Sequence, residues 1–142
     1  MAKIYDVAAY ILDKQGKMTT MKLQKLVYYC QAWSLVWEEK PIFNSPFEAW
    51  ANGPVAPQLY HEHKGAYHIS SIYRGNSSNL TDTDKNTIDA VLEFYGNKSS
   101  QWLSDLTHQE QPWISARKGY SPGERSSQVI SLASMHEYYD SL

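Results

Sequence analysis

Apolar positions recur at helical spacing along most of the chain. Ile4, Val7, Ala8, Ile11 and Leu12 mark a first helix, and Gly16 stands where a C-terminal glycine closes one. Thr19 or Thr20 offers a hydroxyl cap for a second helix. That helix carries Leu23, Leu26, Val27, Cys30, Trp33, Ser34 and Trp37 on one face, with Lys25, Tyr28, Ala32, Leu35 and Val36 on the other. Its second half is apolar almost all round, so it is either central and buried or presents one face to a partner. Pro41 cannot continue it.

Short extended pieces follow at Ile42-Phe43 and at 47–50, then a turn at Asn52-Gly53-Pro54. Pro57 suits the first turn of a short helix through Leu59, Tyr60 and His63, and residues 69–73 read as a strand. Thr81 and Asp84 form a capping box for a helix with Ile88, Val91, Leu92 and Tyr95 on one face, closed by Gly96. Ser99 or Ser100 starts a shorter helix with Trp102, Leu103 and Leu106, and Pro112-Trp113 opens another turn. Ser126 or Ser127 precedes the last helix, which holds Val129, Ile130, Ala133, Met135 and Tyr138. The pattern predicts a mainly α fold: a single compact domain over 1–142 with about six helices. A small β element accompanies it, with short strands near 42–51 and at 69–73. The polar stretches 74–79 and 117–127 read as surface loops.

Composition narrows the function. Leu, Ile, Val and Phe make up just under a fifth of the 142 residues, and 5 Trp and 11 Tyr supply much of the remaining apolar surface. The core is therefore built around aromatics whose polar tips need partners. Thirteen basic against 15 acidic residues leave no electrostatic footprint for nucleic acid. The uncharged run from Leu26 to Trp37 is too short for a membrane span of ~20 residues. The N-terminal residues lack the apolar core of a signal peptide, and the expected location is the cytoplasm.

Catalytic and metal chemistry find little support. Gly119-Tyr120-Ser121-Pro122-Gly123 fits G-x-S-x-G, but no strand precedes it and Pro122-Gly123 follow, so it reads as a loop. His61, His63, His68, His108 and Glu110 lack ligand spacing for zinc. His61 and His63 splay apart on a helix. Cys30 lies mid-helix among apolar residues, where a thiol is chemically quiet. No catalytic residue, metal or cofactor is expected.

Three motifs carry a family resemblance. The first is the run Met18-Thr19-Thr20-Met21-Lys22-Leu23-Gln24-Lys25-Leu26-Val27-Tyr28-Tyr29-Cys30-Gln31-Ala32-Trp33. The second is Phe47-Glu48-Ala49-Trp50-Ala51-Asn52-Gly53-Pro54-Val55, followed by Leu59-Tyr60. The third is Leu106-Thr107-His108-Gln109-Glu110-Gln111-Pro112-Trp113. In order and spacing they resemble the Panacea antitoxin domain, which includes SocA-like antitoxins and many phage-associated proteins. The resemblance covers about two-thirds of the chain.

It implies a mostly helical, non-enzymatic antitoxin that binds and neutralises a protein toxin, encoded by the adjacent gene. The SocA-like branch further implies an adaptor role, delivering the toxin to a ClpXP-type protease. Some members carry an added DNA-binding domain, for which this chain has no spare length, so nucleic acid is not an expected partner. Apolar faces also suit a homodimer. A small hydrolase using Ser121 or a histidine-bound metal is the remaining alternative.

Lys22, Gln24, Lys25, Tyr28, Trp50, Tyr60 and Trp113 are the expected partner-binding residues, and Gly53, Pro54, His108 and Pro112 the structural ones. Aromatic residues serve a core as readily as an interface. The two lysines and Gln24 are the stronger interface candidates, because a core does not need them.

Overall fold

Helix α2 (Thr20–Trp37) is the axis of the molecule. The computed structural model describes residues 1–142. Ahead of α2 come α1 (Ile4–Gln15) and strand β1 (Met18–Thr19). After it follow β2 (Phe47–Trp50), β3 (Gly53–Val55), α3 (Pro57–His63), β4 (His68–Ile69) and a 3-10 turn at Ser77–Asn79. The chain then runs through α4 (Asp82–Tyr95), α5 (Ser100–Thr107), α6 (Gln111–Ala116), β5 (Val129–Ile130) and α7 (Leu132–Asp140). The fold is mainly α, with α1, α4, α5 and α7 all packed on α2. One continuous core runs through them.

Local chemistry sets the boundaries. The Thr19 hydroxyl accepts from the Lys22 amide at 3.1 Å, and Ser99 and Ser131 cap α5 and α7 in the same way. Thr81 and Asp84 exchange both bonds of the expected capping box. Pro57 and Pro112 sit in the first turns of α3 and α6, where no donor is lost.

Two two-point clamps explain why an otherwise apolar α2 carries glutamines. Gln31 accepts from the Ile42 amide at 2.9 Å and donates to the Phe43 carbonyl at 2.7 Å. Gln24, two helical turns earlier, accepts from the Ala56 amide at 2.9 Å and donates to the Ala56 carbonyl at 3.3 Å. Each primary amide stands in for the neighbouring strand that an extended segment would otherwise need.

Several elements differ from the sequence pattern. No strand forms at Ile42-Phe43, where the chain bends and Gln31 takes its backbone hydrogen bonds. The strand expected at 69–73 is only His68–Ile69, paired antiparallel with Met18–Thr19, while Ile72 simply buries its side chain. Gly53–Val55 is a strand rather than part of a turn, and pairs with β2. Val129–Ile130 leaves the last helix and adds to the other edge of β2, giving the order β3-β2-β5. Two β-branched residues in succession suit a strand, and Ser131 starts α7 just beyond them. Seven α-helices form, in keeping with the mainly α pattern.

The core is aromatic, as the composition implies, and polar at its centre. The Tyr29 and Tyr95 rings stack at 4.2 Å, and Tyr28, Phe47 and Tyr139 meet edge to face. Into this cluster projects the buried carboxylate of Glu110. Its Oε1 accepts from the Tyr29 and Tyr139 hydroxyls, each at 2.7 Å. Burial raises the Glu110 pKa, and the two phenol bonds pull it back. Tyr139→Phe removes one charge-assisted bond from a buried carboxylate and should cost about 1.5–3 kcal/mol of stability. Urea unfolding reads this directly, and an unmoved midpoint would show that the carboxylate does not depend on Tyr139.

Candidate functional site

The β2–β3 hairpin turns through Ala51 and Asn52, and side chains from elsewhere satisfy its main chain. The Arg117 guanidinium donates to the Ala49 carbonyl at 3.0 Å. The Trp113 indole donates to the Trp50 carbonyl at 2.8 Å. His108 Nε2 lies 3.0 Å from the Ala51 carbonyl, which can only accept, so this nitrogen carries the ring proton. The Ser104 hydroxyl donates to the Asn52 carbonyl at 2.8 Å, and the Lys25 ammonium to the Pro54 carbonyl at 3.2 Å. With the Gln24 clamp on Ala56, the first and third sequence motifs grip the second from two sides.

Gly53 makes the grip possible. Its φ is +118°, a region that L side chains rarely adopt. A Cβ placed there would lie 2.5 Å from Lys25 Cε and 2.9 Å from Thr107 Oγ1. Pro54 then turns its carbonyl onto the lysine. Of the residues expected to be structural, Gly53 and Pro54 shape the hairpin, His108 donates to its turn and Pro112 opens α6.

The residues expected at an interface divide. Gln24, Lys25 and Tyr28 are buried, at 2%, 0% and 1% exposure. The reasoning that a core does not need Gln24 and Lys25 is overturned: both satisfy backbone groups of the hairpin and its exit. Tyr28 sits in the aromatic core, its hydroxyl 3.2 Å from that of Tyr139 and donating to it, since the Tyr139 proton is given to Glu110. Lys22 is half-buried in the first turn of α2, where partial burial lowers its pKa. Trp113 is half-buried, packed on the His108 ring at 4.2 Å and covered by the Arg117 guanidinium. Trp50 and Tyr60 keep open surface and meet edge to face at 5.0 Å.

Gln24, Lys25, Trp50 and Tyr60 are brought together around one cleft of about 670 Å³, which Lys22, Tyr28 and Trp113 do not line. Gln24 and Lys25 form its floor, and Trp50, Tyr60 and Tyr120 its aromatic walls. His63 Nε2 accepts from the Gln24 amide at 3.0 Å, because the amide nitrogen can only donate. Burial lowers the His63 pKa, its own backbone bond offsets part of that, and the nearby Lys25 charge lowers it further. Burial also drives the Lys25 pKa down to about 7.

Sequence reading missed Arg117 and the segment it holds. The stretch 117–127 is not free surface throughout: the buried guanidinium also donates to the Ser121 and Glu124 carbonyls. The visible signal was an arginine four residues after Trp113, one helical turn away. Ser121 lies in that turn, following α6 rather than a strand, and its amide donates to Glu124. His61, His63 and His68 converge on no shared metal-ligand cluster. Cys30 is fully buried, and burial raises its thiol pKa. No helix is long and apolar enough to cross a membrane.

Comparison with known proteins adds a family. The model described as "Antitoxin SocA-like, Panacea domain" matches residues 23–114, a segment that contains the hairpin and nearly all of its side-chain donors. The protein named Antitoxin SocA from Caulobacter vibrioides (strain NA1000 / CB15N) is 40% identical over 58 residues, 38% of this chain. The match spans 31% of that relative's length. No solved structure matches the chain.

Two measurements check the geometry. Gly53→Ala should destabilise the fold by about 1–3 kcal/mol from backbone strain alone, and thermal unfolding will show it. The second concerns pH. An unfolded lysine holds its proton to about 10.4, whereas Lys25 in the fold releases it near 7. Above pH 7 the unfolded chain therefore binds more protons, and stability rises with pH. Between pH 7 and about 8.5, below thiol and phenol ionisation in the unfolded chain, the gain should be on the order of 1 kcal/mol per unit. Lys25→Met should abolish that slope, and an equal slope in the variant would remove the assignment.

Proposed function

This chain belongs to the SocA-like Panacea antitoxin family, and from that membership we propose that it is a non-enzymatic antitoxin that binds a protein toxin and neutralises it by occlusion. The observation that carries the reading is the use made of the motif residues. His108 and Trp113 donate to hairpin carbonyls, Lys25 gives one of its N–H groups to the Pro54 carbonyl, and Arg117, just beyond the third motif, completes the set. A side chain committed in this way builds a surface rather than a reaction centre. The toxin of this reading is the product of the adjacent gene; the Caulobacter relative's name states an antitoxin role.

The recognition surface lies around the cleft. Trp50 and Tyr60 keep exposed area on a rigidly clamped hairpin and the helix beside it, and exposed Arg125 stands nearby. Half-buried aromatics with polar tips are the residue types that dominate binding energy, and a charged rim favours orientation. Lys25 and Gln24 meet a partner only through the cleft floor. Helices α1 and α7 pack on α2 outside the matched segment, so residues 1–142 act as one antitoxin domain.

Coexpression with the adjacent gene tests the reading. The neighbour alone should arrest growth, and this chain should restore it and copurify. The Trp50→Ala, Tyr60→Ala pair, with its helical content intact by circular dichroism, should weaken the complex at least tenfold, about 1.4 kcal/mol. A harmless neighbour with no copurifying complex would overturn the antitoxin reading, and wild-type affinity in the folded pair would move the interface elsewhere.

A further inference from the structure

The cleft is lined by a buried lysine that makes no ion pair. Lys25 is wholly buried and donates to one acceptor, the Pro54 carbonyl, although an ammonium carries three N–H groups. The molecule's one ion pair joins Arg74 and Glu62. Glu48 is the only acid lining the cleft, and its Oε1 already accepts from the Trp50 indole at 2.8 Å. His63 is neutral there, as the acceptor of the Gln24 amide. The remaining ionisable linings are the Tyr60 and Tyr120 phenols and Arg125.

A second feature adds to the same field. Thr20 and Met21, in the first turn of the 18-residue α2, line the same space and bring the positive end of the helix dipole to it. The walls select further. Trp50, Tyr60, Tyr120, Met21 and Val55 give the cleft an apolar lining, and its volume is that of an ordinary small-ligand site. A bare inorganic anion would leave these walls uncovered.

We propose that the cleft binds a carboxylate carried on an apolar or aromatic group. The carboxylate meets Lys25 at the floor, and the body of the group lies between Trp50, Tyr60 and Tyr120. Such a carboxylate has two sources: an acidic or C-terminal residue of the protein partner, or a free organic acid. The first deepens the antitoxin reading and rests on it; the second does not.

The test follows the Lys25 Cε resonance in ¹³C-labelled full-length protein. One arm titrates 3-phenylpropionate and, separately, its amide. The acid should move the resonance and raise the Lys25 titration midpoint by at least one pH unit, and the amide should bind at least tenfold more weakly. Lys25→Met should abolish acid binding. Arg125→Gln, an exposed change that leaves the core untouched, should weaken it severalfold and serves if the first variant does not fold.

The other arm records the same resonance in the complex with the adjacent-gene product. A midpoint raised by the acid supports the proposal with a free ligand as source. A midpoint raised only in the complex supports it with the partner as source. No movement in either arm, or equal binding of acid and amide, overturns it; if no partner copurifies, the first arm decides alone. Growth rescue with an unmoved resonance sinks the cleft proposal and leaves the antitoxin reading standing, while carboxylate binding in a chain that rescues nothing does the reverse.

Discussion

Buried carbonyls must find donors, and in this molecule a short hairpin finds them outside any sheet. A two-edged strand such as β2 satisfies part of its main chain through β3 and β5. The turn and the strand ends have no such neighbours. Arg117, Trp113, His108, Ser104 and Lys25 take those places, each donating to a carbonyl between Ala49 and Pro54. An unpaired buried carbonyl costs about 1–3 kcal/mol, a penalty that bears most on the two fully buried contacts, those of Arg117 and Lys25, while the other three are part-buried. Helices α2, α5 and α6 are positioned by this shared task as much as by apolar packing.

The same constraint explains a buried lysine. A lone ammonium in a core is costly, and its pKa falls accordingly. Lys25 remains because Gly53 leaves space for its chain and Pro54 offers an oxygen. Glu110 is the acidic counterpart, held by two tyrosine hydroxyls. The two groups do not pair with each other; each is satisfied locally by neutral groups. Such neutral shells make the charge state of each group responsive to what is placed beside it.

Much of the helical framework was legible in the sequence. Thr19, Thr81 and Ser99 cap the helices that their hydroxyls announce, and Gly16 closes α1. The strands were less legible because three of them are only two residues long, too short for alternation to show. Val129–Ile130 satisfies a helical pattern equally well, and only its partner Phe47–Glu48 decides the matter. For the site, the motif residues were visible but their direction was not. Lys25 and Gln24 look like surface residues by type, and their burial depends on carbonyls some 30 positions away, which no local pattern encodes. Arg117 was hidden for the same reason, inside a stretch whose composition is that of a loop.

The hairpin clamp joins residues far apart along the chain. Lys25 reaches forward 29 positions to Pro54, whereas Trp113 and Arg117 reach back 63 and 68 to Trp50 and Ala49. As the chain leaves the ribosome, the hairpin emerges with its α2 donors already present and its α5 and α6 donors still unsynthesised. It cannot lock until residue 117 is free, so the region the family motifs share is completed late in synthesis, and closure of these long loops sets the pace of folding. A nascent chain halted before that point would expose Trp50 and Tyr60 on an unlatched hairpin, and so would be a natural client for chaperones.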